Sequence, residues 1–165
     1  MLNLKTGDCF CTRNPMFLGR IISAIELFWS TDGHAEYSHA GMMLNNTQTF
    51  ESLLTNKSQD FYQGYQGENV LVVRPQVPDL DKFLALQKIY KEHNGKWYPF
   101  HRLPMFIFPP LAKINIADRP VCSEMTAKYL TLLKIRQNWK GVNPDTLADE
   151  FRNWKQYEII YEGVL

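Results

Sequence analysis

Cys122 lies directly after a short proline-containing stretch, at the start of a segment with helical periodicity. Pro120 is excluded from a helix interior but suits the residues just before a helix or its first turn. Cys122, Met125 and Tyr129 then recur at the three-and-four spacing of a helix with one buried face. The pattern predicts a helix that ends near Arg136, with the Cys122 thiol at its N-terminus. There the helix dipole and unpaired backbone N–H groups favour a thiolate and can stabilise an oxyanion on a bound acyl group.

A nucleophilic cysteine requires a base, and the chain offers a small set of histidines as partners. They are His34, His39, His93 and His101. His39 lies in a predicted strand, residues 37–44, and is followed by Ala40 and Gly41, whose small side chains leave open space beside the imidazole. The last two histidines are expected to cap or hydrogen-bond locally. His39 is therefore the predicted general base.

Glu51 is the predicted third member of the site, on a strand that returns from a hairpin turn. Asn45-Asn46 predicts a tight turn because asparagine tolerates positive φ, and residues 47–52 then form the returning strand. A hairpin centred on that turn pairs His39 near Ser52. Glu51 then lies one step out of register, so a bulge or a contact with a neighbouring strand would be required to bring its carboxylate to the imidazole.

Each of the three residue types fits a role in acyl transfer. Cys122 would attack a carbonyl as a thiolate, while His39 would take the thiol proton and later deliver one to the leaving group. Glu51 would accept a hydrogen bond from the other ring nitrogen and stabilise the imidazolium. Each also has an ordinary interpretation: a small buried hydrophobe, a hydrogen-bonded strand histidine and a solvated carboxylate. Residue types and spacing alone leave both interpretations open.

Aromatic residues offer candidate substrate contacts. Tyr37 and Tyr98 are candidates for lining the active cleft, although core packing is the commoner role of such side chains. Residues 97–111, rich in aromatics and prolines, predict an ordered irregular segment that lines a cleft or covers the core. This segment is also the candidate surface for an acyl chain or a protein partner.

Cys9 and Cys11 raise the alternative of a metal site together with His34. Structural zinc pairs usually have two to four residues between the cysteines, and the sequence contains no second cysteine pair. We expect two thiols packed on one face of a strand instead. The sequence therefore predicts no metal and no cofactor.

The bulk properties indicate one ordinary globular domain, residues 1–165. The composition is 45% hydrophobic and 21% charged, which argues against disorder. A net charge of +1 gives no overall field that would attract nucleic acid. The first residues lack a signal-peptide pattern, and the most apolar stretch is too short to span a bilayer. We therefore expect a cytoplasmic protein with reduced thiols, no transmembrane segment and no nucleic-acid partner.

The remaining elements predict an α+β fold, with a small antiparallel sheet packed against the Cys122 helix. Further strands are expected at residues 7–12, 70–73 and 156–162, and further helices at residues 16–29, 79–93 and 144–151. Cys9 and Cys11 should share one face of the first strand, with Phe10 on the other. The polar, glycine-containing residues 57–67 predict a surface excursion.

The order of several short motifs resembles the circularly permuted NlpC/P60 group of papain-like proteins, the YiiX/YebB-like and lecithin retinol acyltransferase-like members. These motifs are Gly7-Asp8, Ser38-His39-Ala40-Gly41, Phe50-Glu51-Ser52 and Val121-Cys122-Ser123-Glu124. Gly95-Lys96-Trp97-Tyr98 is similar to the group's G-x-x-Y segment, and Asn143-Pro144-Asp145-Thr146-Leu147 to its late P-x-x-L helix start. In this group the histidine strand precedes the cysteine helix, as it does here.

The resemblance implies that Cys122 is the nucleophile, His39 the base and Glu51 the third, polar member, with Asp8 structural. It implies a cysteine hydrolase or acyltransferase that works through an acyl-enzyme. An amide of a peptide or peptidoglycan-like substrate is the first expectation, and a lipid ester or thioester the second. Two alternatives are not enzymes. One is a binding module without turnover, and the other is an interaction protein that uses residues 97–111.

Overall fold

The computed structural model describes residues 2–13, 36–53, 55–97 and 120–165. Within these ranges the chain forms six strands: β1 (Cys9–Thr12), β2 (His39–Met43), β3 (Gln48–Ser52), β4 (Asn56–Asp60), β5 (Asn69–Pro75) and β6 (Tyr157–Val164). The same ranges contain four helices: α1 (Phe61–Tyr65), α2 (Asp79–His93), α3 (Cys122–Leu132) and α4 (Pro144–Asn153). The predicted α+β class is confirmed.

One antiparallel sheet contains all six strands, in the order β4-β3-β2-β1-β5-β6. The apolar run 70–73 lies in β5, which is an interior strand as predicted. No helix in the described ranges is long and apolar enough to cross a membrane. The extent of the domain, predicted as residues 1–165, stays a prediction.

The two faces of the sheet carry separate apolar cores. Cys9 and Cys11 pack in one core together with Met125 and Leu130 of α3. Phe10 packs in the other core, where Phe61 and Tyr65 of α1 cover the sheet. The alternation predicted for β1 is thus confirmed, because successive side chains of a strand point to opposite faces.

The register of the β2–β3 hairpin differs from the predicted one by one residue. Gly41 pairs with Glu51, which is one residue away from a register that pairs His39 with Ser52. The turn is longer than two residues because the Asn45 side chain accepts hydrogen bonds from the backbone N–H of Thr47 and of Gln48. The shift places Glu51 diagonally across from His39 on the same face of the sheet. Neither a bulge nor another strand is needed to bring them together.

The prediction for residues 57–67 is wrong. This segment forms most of β4 and then α1, which begins at an Asp60 N-cap whose side chain accepts a hydrogen bond from Gln63 N–H. Phe61 and Tyr65 are buried. Their spacing of four residues places both on the inner face of a single helical turn, a period too short to recognise among polar neighbours.

Helix α2 has the predicted bounds, but part of its apolar pattern faces solvent. Leu86 and Ile89 are buried, whereas Leu80 is 66% and Leu84 53% exposed. Lys82 is buried instead, and its Nζ lies 2.7 Å from Asp79 Oδ1. Apolar residues cover most of this helix surface, so periodicity alone did not identify the face that packs.

Helix α3 ends at Leu132, four residues before the predicted end. Lys134 adopts a positive φ of 60°, and the N–H groups of Ile135 and Arg136 then turn back to the Leu130 carbonyl. Helix α4 begins as predicted, with the Asn143 side chain accepting from the Thr146 N–H. Several predictions fall outside the described residues: the helix at 16–29, His34, Tyr98, His101 and nearly all of the segment 97–111.

Candidate active site

Cys122 is the first residue of α3 and is buried, with an exposed fraction of 2%. Val121 before it is extended, and the Val121 N–H donates to Glu124 Oε2 at 3.2 Å. The N–H groups of a first helical turn have no partner within the helix, so they surround the Cys122 thiol with partial positive charge. The predicted location of Cys122 at a helix N-terminus is confirmed.

The loop before α4 holds this helix end in place. Glu124 is fully buried, and its Oε1 accepts from the Gly141 N–H at 2.9 Å. Ser123 Oγ donates to the Val142 carbonyl at 2.6 Å. These contacts fix the first turn of α3 relative to residues 141–142, and therefore fix the position of the thiol.

Glu51 is a fully buried carboxylate that receives four hydrogen bonds. On Oε2 it accepts from His39 Nε2–H at 2.6 Å and from the Tyr65 hydroxyl. On Oε1 it accepts from the Thr49 hydroxyl and from Gln59 Nε2 at 3.1 Å. Burial raises the pKa of Glu51, but the His39, Thr49 and Tyr65 contacts outweigh it and leave that pKa below its usual value. The carboxylate is held ionised.

His39 connects this carboxylate to the thiol. Its Nε2 bonds Glu51. The His39 side chain also hydrogen-bonds Cys122, and Nδ1 is the ring nitrogen that remains for this bond. Burial lowers the pKa of His39, but the charge and hydrogen bond of Cys122 and those of Glu51 raise it to about 10. The raised pKa favours the imidazolium form of His39, which lies between Cys122 and the Glu51 carboxylate.

Gly41 provides the space in which these groups meet. A Cβ at this position would lie 2.6 Å from Phe10 Cζ and 2.9 Å from Glu51 Cγ. The His39 ring lies 6.3 Å from the Phe10 ring and 6.2 Å from the Tyr65 ring, centroid to centroid. The open space predicted beside His39 is therefore not present, because Phe10 and Glu51 fill it.

The structure therefore brings together the three predicted catalytic residues. It adds Thr49, Gln59 and Tyr65, which the sequence analysis did not identify. The alternation of β3 places Thr49 on the same face as Glu51, and this pattern is visible in the sequence. Gln59 is the cross-strand partner of Thr49, but it lies in the segment predicted as a surface excursion, as does Tyr65.

The other predicted residues lie elsewhere. Tyr37 is buried in the core beside α4, where the Arg152 guanidinium lies over its ring at 5.4 Å. Its described contacts do not include Cys122, His39 or Glu51. Its predicted substrate contact stays a prediction, as does that of Tyr98, which is outside the described residues.

Asp8, predicted to be structural, is a buried carboxylate paired with a cation. Arg74 Nε donates to its Oδ1 and Arg74 Nη2 to its Oδ2, both at 2.8 Å. The Lys5 N–H adds a bond at 2.8 Å to Oδ2. All three cysteines are buried, and burial together with Asp8 raises the pKa of Cys9 well above that of an ordinary thiol. Cys9 is therefore held as an unreactive thiol.

Three comparisons place the fold among known proteins. No family model matches the sequence, and a search of curated proteins gives no significant match. A search of solved structures finds the crystal structure of the metalloprotein yiiX from Escherichia coli O157:H7, with a TM-score of 0.61 and 21% identity over 98% of both chains. This likeness shows a shared fold over nearly the whole chain and confirms the YiiX-like part of the predicted architecture.

Proposed function

We propose that the chain is a cysteine hydrolase or acyltransferase of the permuted papain-like type, working through an acyl-enzyme on Cys122. The observation that supports this proposal is the position of His39, which bonds Glu51 through Nε2 and contacts Cys122 at the N-terminus of α3. A buried nucleophile, a base and a group that orients the base are the parts that acyl transfer requires.

In the proposed reaction the Cys122 thiolate attacks the carbonyl carbon, and the carbonyl π electrons move to oxygen. First-turn N–H groups of α3 face the developing oxyanion. As the tetrahedral intermediate collapses, His39 transfers its Nδ1 proton to the leaving amine, leaving a thioester on Cys122. A water or another acceptor then gives a proton to His39 and attacks the thioester, which releases the acyl group and restores the ion pair.

An amide of a peptide or peptidoglycan-like molecule is the first proposed substrate, and a lipid ester or thioester is the second. The solved structure with the shared fold is described as a metalloprotein. Within the described residues of this chain, no three His, Cys, Asp or Glu side chains converge to hold a metal ion. His39 Nε2 is also committed to Glu51. The described donors around Cys122 therefore do not fit a metal centre, and the proposed mechanism has no step at a metal.

The test is the pH dependence of Cys122 alkylation, followed by mass spectrometry of the labelled peptides. We expect modification at neutral pH in the parent and its loss in His39→Ala. Cys9 serves as an internal control, because its raised pKa predicts no labelling under the same conditions. The ultraviolet absorbance of the thiolate, which requires no reagent access, provides a second measurement. An ordinary thiol titration that His39→Ala leaves unchanged would contradict the proposal and favour a binding module.

A further inference from the structure

The short segment from β4 into α1 supplies two of the four groups that hold Glu51. Gln59 lies on β4, and Tyr65 is the last residue of α1. Gln59 Nε2 lies 3.1 Å from Glu51 Oε1 and 3.2 Å from the Tyr65 hydroxyl oxygen. The Tyr65 hydroxyl in turn donates to Glu51 Oε2. These three side chains form a closed ring of hydrogen bonds.

We propose that Tyr65 is a positioning residue of this site, and that its hydroxyl and the Gln59 amide share the negative charge of the Glu51 carboxylate and so limit its pull on the His39 proton. The proposal deepens the proposed function and rests on it. Tyr65 does not contact the reacting atoms in the proposed reaction. It acts through Glu51 Oε2, the same oxygen that accepts the His39 Nε2–H.

The physical argument concerns one oxygen shared by two donors. A hydrogen bond from a hydroxyl withdraws negative charge from the carboxylate oxygen that accepts it. The Tyr65 hydroxyl therefore limits the attraction of Oε2 for the His39 proton. Thr49 and Gln59 donate to Oε1, whereas Tyr65 and His39 share Oε2.

The surroundings of Tyr65 are otherwise apolar. Its exposed fraction is 2%, and the rings of Phe10 and Phe61 lie 5.4 Å and 5.8 Å from its ring, centroid to centroid. Burial, and then the charge and hydrogen bond of Glu51, raise the pKa of Tyr65 well above its ordinary value, so the hydroxyl remains a donor. Beyond these groups, Cys122 faces His39 from α3, and Lys57 is the exposed cross-strand partner of Glu51.

The test is an NMR titration of the His39 ring nitrogens in the Cys122→Ser background, with the His39→Ala spectrum used for assignment. Tyr65→Phe keeps the ring and removes only the hydroxyl. The freed charge on Oε2 should raise the His39 midpoint by about half a unit, a roughly threefold change in its acid dissociation constant. Gln59→Met should shift it in the same direction by a smaller amount. Tyr62→Phe is the matched control, since the Tyr62 hydroxyl accepts from the Leu2 N–H and does not reach Glu51.

A His39 midpoint that is unchanged or lowered in Tyr65→Phe, with folding verified by circular dichroism, would overturn the inference and leave Tyr65 as a core aromatic residue. This result is independent of thiol reactivity, because the titration is made without Cys122. Failure of the proposed function would instead show in the parent protein, as a Cys122 thiol with an ordinary titration.

Discussion

Two fully buried carboxylates, Asp8 just before β1 and Glu51 in β3, are neutralised in different ways. Asp8 is paired with the Arg74 guanidinium and a backbone N–H, and these partners do not change charge in the ordinary pH range. Glu51 is surrounded by one histidine and three neutral donors. A permanent cation makes a structural ion pair, whereas a titratable one makes a pair that can transfer a proton. The first stabilises the fold, and the second can take part in a reaction.

The largest expected effect is on stability, at the structural pair. Arg74→Met leaves the Asp8 carboxylate buried without its cation, and this should cost about 3–5 kcal/mol of the free energy of unfolding. Urea denaturation of the variant measures it. Arg74→Lys is the control, because it retains the charge but loses the two parallel hydrogen bonds. Its free energy of unfolding should lie between those of the parent and of Arg74→Met. A loss below about 1 kcal/mol in Arg74→Met would remove the distinction between the two carboxylates.

The next effect is on chemistry, at the titratable pair. Glu51→Gln removes the charge that stabilises the His39 imidazolium while it preserves the size of the side chain. The pKa of His39 should fall from about 10, and the rate of Cys122 alkylation at neutral pH should fall about tenfold or more. Its stability loss should be smaller than that of Arg74→Met, because a neutral amide replaces the charge. Asp8→Asn, the equivalent change at the structural pair, should leave the alkylation rate as it is in the parent.

The sequence predicted the three residues of the site but not how they are held. Cys122 was identified because a proline and a helical period mark its position, and both are local features. The contact of His39 with Glu51 depends on the hairpin register, which the Asn45 side chain shifts by one residue through two backbone hydrogen bonds. A one-residue shift changes which side chains of the two strands lie on the same face of the sheet. The alternation of apolar and polar residues alone does not reveal such a shift.

The residues that were missed share a physical reason. Gln59 and Tyr65 lie in a polar segment with two glycines, where the sequence contains no run of apolar residues. Their places are determined by pairing with β3 and by packing on Phe10, and both are long-range contacts. Helix α2 illustrates the same limit, since its bounds were predictable while its buried face was not. Capping and periodicity define elements, and tertiary packing decides which side of an element is used.

A glycine lies beside each of the two carboxylates, Gly7 beside Asp8 and Gly41 beside Glu51. Gly41→Ala would place a methyl group 2.6 Å from Phe10 Cζ and 2.9 Å from Glu51 Cγ. Gly7→Ala would place one 2.5 Å from the Tyr129 hydroxyl, at a φ of +85°. Both should lose about 1–3 kcal/mol of stability in urea denaturation. Only Gly41→Ala should also slow Cys122 alkylation, because only that methyl group displaces Glu51. Equal alkylation rates in the two variants would argue against a requirement for this geometry.

The smallest expected effect is the pH dependence of stability that Glu51 contributes. Its pKa is lowered in the folded state from a value of 4.5, so the stabilisation it provides is present above pH 4.5 and is lost as the pH falls through the folded-state pKa. The free energy of unfolding of the parent should therefore decrease in acid more steeply than that of Glu51→Gln, which has no proton to bind at this position. Urea denaturation of both proteins across the acid range measures the difference. Parallel curves would mean that Glu51 titrates alike in the folded and unfolded chains, and the four hydrogen bonds would then not hold it ionised.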